Sequence, residues 1–203
     1  LPIDRTAAFS DKDIMQSATK ALRRQNKADR MARVGKLARG KFVSPDNVSA
    51  VLRRIIEPGD RLCLEGDNQK QADFLARCLT QVDPQRVHDL HMVQSVLALP
   101  EHLDVFERGI ARKLDFSFSG PQALRLAGLL SRGQLQIGAI HTYLELFSRY
   151  FIDLTPQVSL IAAHSADAQG NLFTGPNTED TPAIVEATAF SGGIVIAQVN
   201  EWV

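Results

Sequence analysis

Short apolar runs rich in β-branched residues alternate with stretches of helical periodicity from Arg61 to Val199. Such alternation is typical of a parallel sheet built from right-handed strand–helix–strand units. In these sheets, ligands bind beyond the carboxyl ends of the strands. The sequence therefore predicts an α/β fold with a parallel sheet and flanking helices, and places its chemistry in the loops that follow the strands. The predicted strands are 61–65, 86–92, 114–117, 136–139, 158–163 and 193–199, and the predicted helices are 46–56, 69–82, 101–108, 121–131, 142–151 and 181–189.

The first part of the chain has a different pattern. Ser10 and Asp13 resemble a capping box, and Arg39 with Gly40 resembles the end of one long helix. The apolar stripe of this helix is thin, and ten Lys or Arg against three Asp fall between Asp11 and Lys41. We therefore predict an N-terminal helical extension over 1–43 and an α/β domain over 44–203. The basic face is interpreted as solvated or docked on a partner, with an anionic partner as the alternative.

Charge, apolar content and the spacing of cysteine and histidine bear on which classes of function the chain can have. The formal net charge is zero, which gives no argument for nucleic acid or membrane binding, and 44% apolar residues allow a real core. No apolar run approaches the ~18 to 20 residues of a membrane span, so a cytoplasmic location is expected. Cys63 and Cys78 lack metal-type spacing and are predicted to be buried, reduced thiols. His88 and His91, three apart on a predicted strand, face opposite ways, so no metal is expected there.

The first candidate loop, 65–70, joins a short apolar strand to a predicted helix. Gly66 permits a tight backbone, and the free amides of a helix start near Asn68 and Gln69 would suit an anion or oxyanion. The loop matches neither a Walker A motif nor a GxGxxG fingerprint. An ordinary strand-to-helix turn is the alternative.

Two further loops have the same setting. Ser119 and Gly120 follow a predicted strand and precede a helix, which Ser119 would either cap or leave free for a ligand. Asn177 and Thr178 lie in a polar loop before a helix of small residues, where Thr178 or Asp180 could be no more than a cap. A nucleophile elbow of the form G-x-S-x-G is absent, since 116–120 reads FSFSG. Three such loops in one α/β unit indicate a small-molecule or thioester pocket.

Several long runs resemble a known family. They are EGDNQKQADFLARCL, HDLHMVQSVLALPEHLDVFERGIARKLDFSFSGPQ, IGAIHTYLELFSRYFIDLTPQVSLIAA and GNLFTGPNTEDTPAIVEATAFSGGIVIAQVNE. From about Leu64 onward, about two-thirds of the chain, the sequence resembles the alpha subunit of bacterial malonate decarboxylase, the acyl-carrier-protein transferase component. The segment 158–201 also resembles the alpha half of family I coenzyme A transferases, with an ADxxGN-like turn at 166–171. This likeness implies a coenzyme A transferase-like (Rossmann-like) half.

The resemblance implies an acyl exchange on a carrier protein. Acetyl-carrier protein and malonate would give malonyl-carrier protein and acetate, and partner decarboxylase subunits would then release carbon dioxide. The chain would bind no cofactor itself and would act on the carrier's coenzyme-A-like (phosphoribosyl-dephospho-CoA) group. In such transferases a glutamate attacks the thioester, and backbone amides stabilise each oxyanion.

That glutamate belongs to a Ser-Glu-Asn-Gly type motif, which these 203 residues lack. Glu65 and Glu179 do not match it, so we expect the nucleophile outside this chain. A buried strand at 193–199 needs cover on both faces and nothing follows to provide it. The chain is therefore expected to be part of a longer polypeptide, or half of a site completed by another chain, and to be inactive alone. A citrate lyase alpha subunit, a sugar-phosphate isomerase or deaminase of related fold, and a non-catalytic assembly module are the alternatives. The predicted thioester-binding residues are Gly66, Asn68, Gln69, Ser119, Gly120, Asn177 and Thr178.

Overall fold

A computed structural model describes residues 11–67 and 69–203. Within these residues, helices and strands alternate through most of the chain, as the apolar pattern predicts. The helices are α1 (Asp11–Val34), α2 (Val48–Ile55), α3 (Asp73–Thr80), α4 (Glu101–Glu107), α5 (Ala123–Ser131), α6 (Tyr143–Ile152) and α7 (Thr181–Phe190). The strands are β1 (Ala38–Arg39), β2 (Phe42–Val43), β3 (Arg61–Leu64), β4 (Leu90–Val96), β5 (Ala111–Phe118), β6 (Gln136–Ile140), β7 (Val158–Ala166), β8 (Leu172–Phe173) and β9 (Ile194–Trp202).

The main sheet has the order β6-β5-β4-β3-β7, and β9 pairs with β7 on its far side. All of these pairings are parallel. The short β8 pairs antiparallel with the end of β7, so the sheet is mixed rather than wholly parallel. The predicted α/β class, with flanking helices, is confirmed. The carboxyl ends of β3, β4 and β5 meet at one edge, which we call the carboxyl edge.

The two faces of the sheet hold separate apolar clusters. Leu62, Met92 and Leu114 pack with the helices α2, α3, α4 and α5 on one face. Cys63 and Val93 pack with α6 and α7 on the other. This burial of both faces explains why the strands read as continuous apolar runs rather than as an alternating pattern. Cys63 and Cys78 are buried and free, as predicted.

The N-terminal helix is shorter than predicted. α1 ends at Val34, and Gly40 lies in the turn of the antiparallel β1–β2 ribbon with a positive φ of 61°. Val34 joins the larger apolar cluster, and Arg30 donates to Asp60 at 3.0 Å. The predicted domain division after residue 43 stays a prediction. Ser10, the predicted cap, lies outside the described residues.

The second of the predicted strands is shifted along the chain. The strand expected at 86–92 is β4, Leu90–Val96, because residues 83–87 form a turn in which the amides of Arg86 and Val87 donate to the carbonyl of Asp83. Gln94 and Ser95 are polar and interrupt the apolar pattern, so the predicted strand ended too early. Both residues are nevertheless fully buried. His88 therefore lies before β4, and the prediction that it shares a strand with His91 is wrong.

The last strand pairs with β7 along its whole length, from Ile194 to Trp202. Ile194 is buried, the middle of β9 is half-buried, and Glu201 and Trp202 are exposed. The helix α7 covers one face of this pair. The apolar run 193–199 thus forms an edge strand that the described residues cover incompletely.

Candidate functional site

The loops after β3, β4 and β5 are held together by backbone hydrogen bonds at the carboxyl edge. The amide of Val96 donates to the carbonyl of Gly66 at 2.9 Å, and the amide of Leu97 donates to the carbonyl of Phe118 at 2.9 Å. The Gly66 loop and the Ser119–Gly120 loop therefore flank the end of β4. This arrangement gives the edge a fixed backbone onto which polar side chains project.

The turn after Gly66 is organised by its own aspartate. The Asp67 carboxylate accepts from the amides of Gln69, at 2.5 Å, and Lys70, at 2.7 Å. The helix α3 begins only at Asp73, so the helix start predicted at residue 69 is wrong. Because Asp67 occupies these amides, the Gln69 amide is not a free oxyanion donor in this conformation.

A buried polar contact joins this turn to the third loop. The Lys70 Nζ lies 3.2 Å from the Glu65 Oε1, and it also donates to the Thr181 hydroxyl, which in turn donates to Glu65. The other Glu65 oxygen accepts from the amide of Ala162 at 2.7 Å. Burial raises the pKa of Glu65, while these donors and Lys70 oppose the rise. We call Glu65, Lys70 and Thr181 the buried triad.

Asp180 ties the start of α7 to the sheet. It stands at the N-cap position but makes no cap bond, and its side chain accepts a short hydrogen bond from the Ser95 hydroxyl. Its second oxygen, Oδ1, is buried without a partner among the described residues. Burial, helped by the charges of Glu65 and Asp67, raises the pKa of Asp180 to about 6. Asp180 is therefore a buried acid that titrates near neutrality.

The structure brings two of the three predicted loops into contact. The Asn177 amide donates to the Gln69 side chain at 3.3 Å, and Lys70 reaches the carbonyl of Thr178 at 3.4 Å. Ser119 makes no cap bond to the next helix, and its loop lies at the same edge beyond β4. Asn68 lies outside the described residues. The role of all these residues in thioester binding stays a prediction.

Glu65 does not have the environment of a nucleophile. Its side chain has no exposed surface, and both oxygens are occupied by donors. Glu179 is exposed, with a positive φ of 41°. Neither observation supplies the free, activated carboxylate that thioester attack requires.

A second polar cluster lies under α6. Asp115 accepts from His91 at 2.6 Å and from His141 at 2.8 Å. Burial opposes ionisation, but the two hydrogen bonds outweigh it and hold the pKa of Asp115 at about 2. The His141 side chain is fully buried against Asp115. No group of three or more His, Cys, Asp or Glu that would suit a metal ion occurs in residues 11–67 and 69–203.

Gly66 has no room for a side chain. A Cβ at this position would lie 2.4 Å from the His102 Cε1 and 3.0 Å from the carbonyl oxygen of Val96. We expect Gly66→Ala to lower the free energy of unfolding by about 1 to 3 kcal/mol, measured by urea denaturation. Gly128→Ala, in α5, is the control, because its Cβ meets only the flexible Arg132 side chain, at 3.2 Å. Equal effects of the two substitutions would contradict the steric argument.

The residues that connect the loops were not predicted from the sequence. Lys70 and Thr181 are 111 positions apart, and Ser95 lies within an apolar strand. No local sequence pattern predicts contacts between residues so far apart in the chain. The one available signal was that Glu65 and Asp180 are acids placed beside predicted buried elements, where they need partners.

The fold is that of the coenzyme A transferases. It matches the structure of glutaconate coenzyme A-transferase from Acidaminococcus fermentans with a TM-score of 0.59 at 11% identity, over 77% of this chain and 66% of that one. At this identity the likeness concerns the fold alone.

A sequence profile described as "Malonate decarboxylase, alpha subunit, transporter" matches residues 19–203, so the chain belongs to that family. It is 60% identical over 163 residues to the acetyl-S-ACP:malonate ACP transferase of Malonomonas rubra, covering 80% of this chain and 29% of that protein. It also matches a Pseudomonas malonate decarboxylase hetero-tetramer, solved in complex with malonate, with a TM-score of 0.88 at 60% identity, over 89% of this chain and 33% of that one. The chain thus spans about a third of the length of these relatives. Among the described helices, none has the length and apolar character needed to cross a membrane.

Proposed function

We propose that this chain supplies one α/β domain of an acyl-carrier-protein transferase, which exchanges the acetyl group of a carrier-protein thioester for malonyl. The observation that carries this proposal is the buried triad, which fixes two polar loops side by side at the carboxyl edge of a coenzyme A transferase fold. The 60% identity to a protein named for this reaction supports it.

In the proposed reaction, this domain would bind the acyl thioester and would not supply the nucleophile. The carrier's acyl thioester would lie against the Gly66 loop and the Asn177–Thr178 loop, with Ser119 and Gly120 at the far end of the pocket. A glutamate outside these residues would attack the carbonyl carbon and release the carrier thiol, giving a mixed anhydride. The released thiol would attack the glutamyl carbonyl of this anhydride, which would give a glutamyl thioester and free acetate. Malonate would then displace the thiol to form a malonyl-glutamyl anhydride. Attack of the thiol on the malonyl carbonyl would give malonyl-carrier protein and regenerate the glutamate. The carrier's coenzyme-A-like prosthetic group, the carrier subunit and the decarboxylase subunits are the partners proposed.

The proposal is tested with the full subunit that contains this domain. Acetyl-carrier protein and isotope-labelled malonate are mixed, and labelled malonyl-carrier protein is followed by mass spectrometry. We expect exchange with malonate, and hydroxylamine added after the acetyl thioester should trap an activated glutamate. The 203-residue chain alone should give no exchange. Exchange by the isolated chain would contradict the proposed division of labour, and preference for citrate would move the assignment to a citrate lyase type of enzyme.

Gln69 provides a residue-level test. It is exposed and touches Asn177, so Gln69→Ala should raise the KM for acetyl-carrier protein about tenfold, roughly the value of one or two polar contacts, while leaving thermal stability unchanged. Gln85→Ala is the matched control, since Gln85 is exposed in the turn before β4, away from the carboxyl edge. An unchanged KM would exclude Gln69 from the thioester pocket.

A further inference from the structure

A cavity lies at the amino edge of the sheet, opposite the carboxyl edge. It has a volume of about 380 Å³ and is lined by α1, the start of β3, the segment after α6 and the turn before β9. Arg61 and Gly66 are separated by the length of β3, roughly 16 Å for five extended residues. The cavity is therefore distinct from the carboxyl-edge loops, and its volume falls in the range of small-molecule sites.

One arginine in this cavity lacks a carboxylate partner. Arg61 is half-buried and donates to the carbonyl of Thr155 at 3.2 Å and to the His91 Nδ1 at 3.4 Å. In residues 11–67 and 69–203 it forms no ion pair. Burial lowers the pKa of Arg61, and the more distant charges of Asp153 and Asp115 only partly compensate. Arg61 is partly removed from water and has no carboxylate partner, so its guanidinium is suited to bind an anionic ligand.

The neighbouring charges add to this positive field. Arg23 and Lys27 line the same cavity from α1, and neither forms an ion pair with any described residue. They are four residues apart on the helix, a spacing at which like charges repel. The two acids of the wall are engaged elsewhere: Asp60 binds Arg30 at 3.0 Å and Asp153 binds Arg149 at 2.5 Å. Three cations are thus left without a counter-charge of their own.

Two exposed apolar side chains also line the cavity. Leu22 and Ile152 line it from α1 and α6, and they are 71% and 73% exposed. An inorganic ion would leave both in water, whereas an organic anion would cover them. Burying such side chains stabilises a complex by about 25 cal/mol per Å² of apolar surface.

We propose that this cavity binds a small organic anion. Its phosphate or carboxylate group contacts Arg61 and Lys27, with Arg23 adding to the field, and its apolar part lies between Leu22 and Ile152. The site is independent of the proposed thioester pocket, because it is built from the other ends of the strands.

The test uses phenyl phosphate, inorganic phosphate and phenol as probes in calorimetric titrations of the full subunit that contains this domain, at constant ionic strength. Phenyl phosphate should bind about tenfold more tightly than inorganic phosphate, and phenol should not bind measurably. Arg61→Gln should weaken phenyl phosphate binding by about tenfold or more. The matched control is Arg77→Gln, which removes an exposed arginine paired with Asp73 on α3 and should leave binding unchanged.

Lys27→Gln is the second variant, since the Lys27 side chain forms no ion pair with any residue in 11–67 and 69–203 and its loss should not disturb folding. It should weaken phenyl phosphate binding severalfold, and Ile152→Ser should remove the preference for phenyl phosphate over inorganic phosphate. Equal binding by wild type, Arg61→Gln and Lys27→Gln would overturn the proposal, as would the absence of binding by wild type. Equal affinity for the two phosphates would overturn the organic part of the assignment.

Discussion

Replacing Lys70 by methionine is expected to lower the free energy of unfolding by about 3 to 5 kcal/mol at pH 8. The side chain of Lys70 is 11% exposed and that of Glu65 is fully buried, so the substitution leaves a carboxylate inside the protein without its cation. Thr181 and the amide of Ala162 would still donate to Glu65, but two neutral donors do not replace a charge.

The loss should depend on pH in a defined direction. Burial already raises the pKa of Glu65, and removing Lys70 removes one of the groups that oppose this rise. In the variant, the folded protein therefore holds a proton on Glu65 that the unfolded chain releases at lower pH, so stability falls as pH rises. The deficit relative to wild type should be smaller at pH 5 than at pH 8. Urea denaturation at the two pH values measures it.

Arg77→Met is the matched control for this experiment. Arg77 pairs with Asp73 at 2.9 Å, but the two side chains are 49% and 44% exposed. Exposed pairs at this spacing contribute less than about 1 kcal/mol, with little pH dependence in this range. A similar loss for Lys70→Met would show that the buried triad is solvated, and would remove the main support for a fixed carboxyl edge.

The order of helices and strands was predictable because it follows from apolar periodicity alone. The shifted β4 shows the limit of that reasoning. Gln94 and Ser95 are buried polar residues, and each is tolerated through a partner distant in sequence, the carbonyl of His102 for Gln94 and the carboxyl of Asp180 for Ser95. A pattern of hydrophobicity counts such residues as exposed.

The candidate loops were also predictable, since they follow the strands of a parallel sheet. Their internal chemistry was not. Asp67 satisfies the amides that a helix start would have left free, and Lys70 turns inward to Glu65 instead of outward to a ligand. Both facts depend on where α3 begins, which is four residues later than helical periodicity suggests. Element boundaries decide which backbone donors are free, and sequence patterns define them poorly.

Asp180→Asn should change the pH dependence of stability more than any other single carboxyl substitution considered for this site. Asp180 is 1% exposed, and its pKa of about 6 lies above the ordinary value of 3.8. Between these two values the unfolded chain loses its proton first, so the wild-type protein loses stability as pH rises. A shift of this size corresponds to about 3 kcal/mol.

The groups that face Asp180 are Glu65 and Asp67 from the first loop, Cys63 and Ser95 from the sheet, and Tyr143 and Tyr150 from α6.

Asparagine keeps an oxygen that accepts from Ser95 and has no charge to bury. The variant should therefore gain stability relative to wild type from pH 4 to about pH 6, and the difference should be constant above pH 7, as measured by urea denaturation across this range. Asp167→Asn serves as the comparison, because the Asn171 side chain lowers the pKa of the half-buried Asp167, so removing this carboxyl should give a difference of the opposite sign. If the Asp180→Asn difference stays flat between pH 4 and pH 6, Asp180 is ionised there like an ordinary surface carboxyl. In that case an ionised Asp180 holds the polar loop before α7 to the sheet. A buried Asp180 that stays largely protonated below pH 6 beside Ser95 would then be contradicted.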